Sequence, residues 1–207
     1  MLSANRPLPP GAGDFDIYLA PYRAGAQRLA SHELLGLAAQ AYFEDNRLPR
    51  PGNHELELGF SSTGKPYFLH LPQLHFSISH SRDWWACALG RAQVGLDIQW
   101  QDGRRDIQRL GRRCFHRREV AWLEEKAWQP PAFYDLWAAK EAYVKFSGAG
   151  LSRIDSLSRF SLIPPPAKPQ LKHLPAPEGY SLCLCAAQTG AIRLLTVRNT
   201  DSDPPGR

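Results

Sequence analysis

Leu136-Trp137-Ala138-Ala139-Lys140-Glu141-Ala142-Tyr143-Val144-Lys145 is the stretch on which the reading of this chain turns. It is helix-like, and at 3.6 residues per turn Phe133, Trp137, Glu141 and Val144 fall on one face. Glu141 therefore interrupts an apolar stripe. A carboxylate buried alone costs several kcal/mol, so it calls for a metal, a cation or a raised pKa. Lys145, one turn on, is a candidate for that cation. The plain alternative is a local Glu141–Lys145 ion pair, worth a few tenths of a kcal/mol on a helix surface.

Outward from this segment, a helix is expected over Ala132 to Phe146, stopped by Gly148 to Leu151. Two more helices precede it, Arg104 to Cys114 and Arg117 to Lys126. Upstream, Leu74 to Ser79, Trp84 to Leu89 and Gln93 to Trp100 read as strands, the last two joined at Gly90-Arg91 as a hairpin. Asp14 to Ala20 and Glu55 to Phe60 read as strands and Ala24 to Asn46 as a helix. Leu48 to Asn53 is loop chemistry, and Ser61 to Pro66 is turn chemistry. Downstream, Pro164-Pro165-Pro166 marks a loop, and Tyr180 to Ala187 and Ala191 to Val197 read as closing strands. Strands and helices mix without a βαβα rhythm, which predicts an α+β fold. The expected organisation is a disordered segment 1–13, an N-terminal lobe 14–99, a C-terminal lobe 100–199 and a flexible tail 200–207. The two halves share an order of strand, helix, then strands, which permits an internal duplication.

The chain has 207 residues, four cysteines and a net charge of +5. Residues 1–13 lack the apolar core of a signal peptide, and no stretch approaches a membrane span. Cys87, Cys114, Cys183 and Cys185 are scattered, unlike a disulfide framework, so a cytoplasmic location with reduced thiols is expected. Cys183 and Cys185 alternate on a strand and share a face. The positive charge is uneven: seven arginines lie between Arg104 and Arg118, against the single acid Asp106. That concentration suits nucleic acid, cofactor phosphates or an acidic protein, or is simply a solvated helix face.

Three further constellations carry chemistry. In Gly95-Leu96-Asp97-Ile98-Gln99, strand alternation puts Asp97 and Gln99 on one face. With Glu141 they supply oxygen donors of the kind a hard cation such as Mg²⁺ takes alongside phosphates. In Phe76-Ser77-Ile78-Ser79-His80-Ser81, two hydroxyls share a face beside a histidine able to hold phosphate or move a proton. In Gly64-Lys65-Pro66, a stiffened turn presents a point charge for phosphate. Walker, Gly-x-Gly-x-x-Gly, Gly-x-Ser-x-Gly, zinc-type Cys and His-Glu-x-x-His patterns are absent from the sequence.

Taken in order, Gly64-Lys65-Pro66, Phe76 to Ser81, Val94 to Ile98, Phe115 with Glu119, Trp137 to Lys145 and Gly148-Ala149-Gly150-Leu151 resemble the Sfp-type 4′-phosphopantetheinyl transferases. The Trp-x-x-Lys-Glu-Ala…Lys…Gly-x-Gly-Leu stretch is the most specific part. The likeness covers roughly residues 60–200. It implies an α+β pseudo-dimer of two similar lobes with coenzyme A bound between them, a two-lobed form that is usually monomeric. The implied activity is transfer of phosphopantetheine from coenzyme A to a serine of an apo carrier protein (acyl, peptidyl or aryl), with adenosine 3′,5′-bisphosphate as by-product. By resemblance, Asp97 and Glu141 ligate Mg²⁺, with Gln99 a weaker or water-mediated ligand. Lys65, Pro66, Ser79, His80, Lys140 and Lys145 contact coenzyme A, and Arg28 and His32 are N-terminal candidates. Asp97, Glu141 and Lys145 are the expected catalytic set, with Glu141, directly or through a metal-bound water, the candidate base for the acceptor serine. The chain departs from the family pattern at Gln99, where many members carry Glu. A catalytically silent binder of coenzyme A or carrier protein, or a basic nucleic-acid-binding protein, is the alternative. The favoured reading expects neither nucleic acid nor membrane as a partner.

Overall fold

Strand alternation fixes the middle of the molecule. In Val94-Gly95-Leu96-Asp97-Ile98-Gln99-Trp100, the side chains of Val94, Leu96 and Ile98 are fully buried in an apolar layer between two sheets. Gly95 points the opposite way, against a helix backbone. The computed structural model describes residues 15–22, 30–148 and 154–197. In chain order the elements are β1 (Phe15–Pro21), α1 (Ser31–Asp45), a 3₁₀ turn (Asn53–Leu56), β2 (Leu58–Phe60), β3 (Pro66–Phe68), β4 (His75–Ser81), β5 (Trp84–Gly90) and β6 (Val94–Trp100). There follow α2 (Ile107–Cys114), α3 (Arg117–Glu125), α4 (Pro130–Ser147), a second 3₁₀ segment (Ile154–Arg159), β7 (Gln170–His173), β8 (Tyr180–Ala186) and β9 (Ile192–Thr196). The fold is mixed α+β. Among the described residues, no helix is long and apolar enough to cross a membrane.

The elements stack in four layers. A four-stranded sheet, β4-β5-β1-β9, buries one face under α1 through Tyr18, Trp85, Cys87, Leu89, Leu34, Ala38 and Tyr42. Its other face, with Phe15, Ile17, Ala86 and Ala88, packs on a three-stranded sheet, β6-β8-β7. That second sheet presents Cys183 and Cys185 to the helical layer, where Phe115, Phe133, Leu136, Ala138 and Ala142 complete a third apolar cluster. The period of two in β8 thus serves two cores at once: Leu182 and Leu184 inward, the two thiols outward. Strand β9 returns from the C-terminal end of the chain to lie parallel to β1.

Several expectations are corrected here. β5 and β6 are not a hairpin: β5 is already paired on both edges, by β4 and β1, so β6 crosses to pair with β8. The hairpin is β4–β5, turned at Arg82-Asp83 with Arg82 at φ 50°. The alternation of Glu55 to Phe60 predicts one strand, yet its first half is a 3₁₀ turn. The Glu55 carboxylate accepts the Gly52 N–H at 2.9 Å, and this local cap outweighs the period of two. β3 and β7 are additional strands. α2 begins at Ile107, later than Arg104, because the Asp106 carboxylate caps the Arg109 N–H at 3.0 Å. α4 begins earlier than expected, with Pro130 in its first turn. The expectations for residues 1–14, 24–29, 149–151 and 200–207 lie outside the described residues, and Arg28 with them.

The two sheets are joined by side chains. Ser77, Ser79 and Ser81 on β4 accept hydrogen bonds from the N–H groups of Leu96, Ile98 and Trp100 at 2.9, 3.3 and 2.9 Å. One edge of β6 is satisfied by β8 and the other by this row of hydroxyls. Each such bond contributes on the order of 1 kcal/mol, and each fixes β6 relative to β4.

Candidate active site

The site forms where α4 crosses β6, and a glycine lets it do so. A Cβ on Gly95 would lie 2.0 Å from the Ala142 carbonyl oxygen and 2.4 Å from the Phe146 nitrogen. Both are backbone atoms and cannot yield, so only glycine admits the helix at this depth. Asp97, two residues on, lies on the same face as Gly95. Glu141 and Lys145, on the adjoining turns of α4, are thereby set beside it.

Asp97 is 2% exposed and engaged through both oxygens. Its Oδ1 accepts from Ser79 Oγ at 2.7 Å and from Lys145 Nζ at 2.7 Å, and its Oδ2 accepts from Gln99 Nε2 at 2.8 Å. Lys145 Nζ also donates to the Leu96 carbonyl at 3.1 Å. Glu141 is half-buried, and among the described residues no hydrogen bond reaches its carboxylate. Its pKa is pushed up to about 7, by burial first and by the charge of Asp97 second, with Lys145 opposing. Two acidic groups thus share one lysine as counter-charge. Their oxygens and the Gln99 amide form a hard donor set that suits Mg²⁺.

A cleft of about 240 Å³ opens beside this cluster, lined by Gly64, Lys65, Pro66, Ser77, Lys145 and Gly148 among others. Lys65 Nζ donates to the carbonyls of Val94 at 3.1 Å and Lys145 at 2.7 Å, so the β2–β3 hairpin is tied to both β6 and α4. Burial pushes its pKa down. Gly148 ends α4 in the left-handed region at φ 67°, and its N–H bonds the Val144 carbonyl at 3.1 Å.

The residues expected from sequence do not all gather. Asp97, Gln99, Glu141, Lys145, Lys65 and Pro66 come together. Ser79 adjoins them but aims its hydroxyl at Asp97. His80 is exposed, its ring 5.0 Å from that of Tyr22, and is not among the residues lining the cleft. His32 is exposed in the first turn of α1. Lys140 turns into the helical core. Its fully buried ammonium meets both oxygens of Glu119 at 2.8 and 2.7 Å and the Phe160 carbonyl at 2.8 Å. Glu119 also accepts the N–H groups of His116 and Leu162, so the pair binds α3, α4 and the segment after the second 3₁₀ turn into one unit. Sequence reasoning missed the structural parts of Gly95 and Ser81. A glycine inside a strand was the available signal for the first, and the Ser-x-Ser-x-Ser alternation for the second.

Residues 93–193 match the family model described as the 4′-phosphopantetheinyl transferase superfamily. The chain is 36% identical over 145 residues to a 4′-phosphopantetheinyl transferase of Bacillus subtilis, covering 64% of this chain and 63% of that one. It is 34% identical over 136 residues to 4′-phosphopantetheinyl transferase Sfp of Bacillus subtilis strain 168, covering 60% of each. It is 39% identical over 90 residues to 4′-phosphopantetheinyl transferase gsp of Aneurinibacillus migulanus, covering 42% of this chain and 36% of that one. The aligned part of the chain thus spans at most about six-tenths of these relatives' length. The matched segment runs from the start of β6 to β9 and contains Asp97, Glu119, Lys140, Glu141 and Lys145. Residues 93–193, just under half of the chain, are thus similar to the 4′-phosphopantetheinyl transferase superfamily.

Proposed function

We propose that this protein transfers the 4′-phosphopantetheine group of coenzyme A to a serine hydroxyl of an apo carrier protein (an acyl, peptidyl or aryl carrier domain), leaving adenosine 3′,5′-bisphosphate. The observation that carries this reading is the convergence of Asp97, Glu141 and Lys145 beside a cleft lined by Lys65. Phosphoryl transfer asks for positioning and charge neutralisation more than for covalent help, and this cluster provides both. Mg²⁺ held by Asp97 and Glu141, with Gln99 directly or through water, would neutralise the pyrophosphate. Lys145 and Lys65 bring positive charge to the phosphates. Glu141 is assigned as the base that takes the proton of the acceptor serine. The serine oxygen forms the new bond to phosphorus as the bond to the adenosine bisphosphate oxygen breaks.

In this proposal the molecule is a pseudo-dimer of two lobes with coenzyme A between them. The strand pairings favour a division near residue 93 over one at residue 99, with β9 crossing back to the first lobe. Pro66 and His80 are assigned to the nucleotide, with His32 and Arg28 as N-terminal candidates. Ser79 and Lys140 act through position: Ser79 orients Asp97, and Lys140 with Glu119 orients α4. A cytoplasmic location is part of this proposal, and the four cysteines are all buried. The test is intact-mass analysis of a panel of apo acyl and peptidyl carrier proteins incubated with the protein, coenzyme A and Mg²⁺. Gain of one phosphopantetheine group on a carrier is the expected result. A panel left wholly unmodified would overturn the reading.

A further inference from the structure

We propose that His54, Glu57 and His70 form a binding site for a zinc-class divalent ion at the base of the β2–β3 hairpin. One ligand-capable atom from each of the three lies within 4.8 Å of the others. His70 Nε2 and Glu57 Oε2 are 3.2 Å apart. A tetrahedral zinc ion with bonds near 2.0–2.1 Å holds neighbouring ligand atoms about 3.4 Å apart, so this pair already has the required spacing. The His54 and His70 rings stack with centroids 3.9 Å apart and planes 24° from parallel. Stacked rings aim their lone pairs side by side. One imidazole must therefore turn to bring both nitrogens onto an ion, and His54, exposed to solvent, has room to do so.

The local backbone also brings the three residues together. The Glu55 cap closes the 3₁₀ turn that carries His54, and the Glu57 N–H bonds the His54 carbonyl at 3.3 Å. The Leu69 N–H bonds the Glu57 carbonyl at 2.9 Å, which sets Leu69 across from Glu57 and His70 one residue further on. The donor set is two imidazoles and one carboxylate, with a water completing four-coordination. Such a set selects Zn²⁺, Ni²⁺ or Cu²⁺ over Mg²⁺. It contrasts with the all-oxygen set of Asp97, Glu141 and Gln99, so the two sites sort cations by hardness. An ion here would bridge the segment entering β2 to the segment leaving β3. The tip of that hairpin carries Lys65, whose ammonium holds the carbonyls of β6 and α4. Bound metal would therefore stiffen the element that delivers Lys65 to the cleft.

The experiment is calorimetric titration of the full chain, stripped of metal, with ZnCl₂ in the presence of excess Mg²⁺, which fills the all-oxygen site. One zinc per chain is expected. His54→Ala and His70→Ala should each weaken that binding by about tenfold or more, and Glu57→Gln by less. These side chains lie outside the buried core, and thermal melts without zinc should match the wild type. A second measurement follows the ring protons of the seven histidines by NMR as zinc is added. The resonances of His54 and His70 should move together while those of the remaining histidines stay in place. Wild-type zinc binding that survives both histidine substitutions, or zinc-dependent shifts confined to other histidines, would overturn the site. So would the absence of binding with the wild-type chain.

Discussion

At the scale of single residues, Asp97 and Glu141 are two carboxylic acids in contrasting surroundings. Asp97 accepts three hydrogen bonds, whereas Glu141 is desolvated beside it with one lysine as relief. Replacing either by alanine should lower transfer by about a hundredfold, because a charged contact at the transition state is worth roughly 3 kcal/mol. Steady-state assays over a Mg²⁺ series check this. Glu141→Gln separates a metal-binding role from a structural one: a sharply raised Mg²⁺ requirement at unchanged thermal stability is expected. Glu141 also gives a signed pH effect. Its folded pKa, about 7, lies above the unfolded value of 4.5, so the folded state holds this proton more tightly. The stabilisation is fully present below about pH 4.5 and is lost as pH rises through about 7. In EDTA, the melting temperature of the wild type should therefore fall between about pH 5 and pH 7.5 more than that of Glu141→Gln. Added Mg²⁺ should reduce the difference.

At the scale of elements, the serine row of β4 and the close approach of α4 to Gly95 hold the site in shape. Ser77 and Ser79 each accept one β6 N–H, but only Ser79 also bonds Asp97. Ser77→Ala and Ser79→Ala should lower the melting temperature by similar amounts. Only Ser79→Ala should raise the Mg²⁺ concentration needed for half-maximal transfer. Gly95→Ala should cost about 3 kcal/mol or more, because the added Cβ meets helix backbone that has no alternative path. Denaturant unfolding measures it. These elements also mark where sequence was legible. The period of two in Val94 to Gln99 and the acid in the stripe of α4 are local patterns, and both were readable. So was the gathering of Lys65, Asp97, Glu141 and Lys145, through the family likeness. The destination of Lys140 was not readable, because its partner Glu119 is 21 residues away and helical spacing says nothing of that distance. The β4–β5 hairpin was masked for a different reason. Arg82-Asp83 lacks the glycine that announces a tight turn, whereas Gly90-Arg91 has it and leads elsewhere.

At the scale of the whole molecule, charge is segregated. The seven arginines from Arg104 to Arg118 are all exposed on and before α2 and α3. Arg112 is engaged, 2.7 Å from Glu124 and over the Trp128 ring, so Arg113 and Arg117 are the cleaner probes. If this face recruits an acidic carrier protein, Arg113→Glu and Arg117→Glu should raise the apparent KM for carrier severalfold and leave that for coenzyme A unchanged. The effect should shrink as salt rises. Equal changes for both substrates would assign these arginines to the cofactor or the fold. The sheet topology bears on the protein's synthesis as well. β1 is flanked by β5 and, on its other edge, by β9, and the Asp16 carboxylate is clasped by Arg193, 177 residues later. At a ribosomal rate of about 5–20 residues per second, β1 waits roughly 10–35 s for that neighbour to be made. During that interval its edge, and the buried acid Asp16, have no partner in β9. A nascent chain is therefore open to chaperone capture and to mispairing until the ninth strand leaves the ribosome, however complete the cluster of Asp97, Glu141 and Lys145 already is.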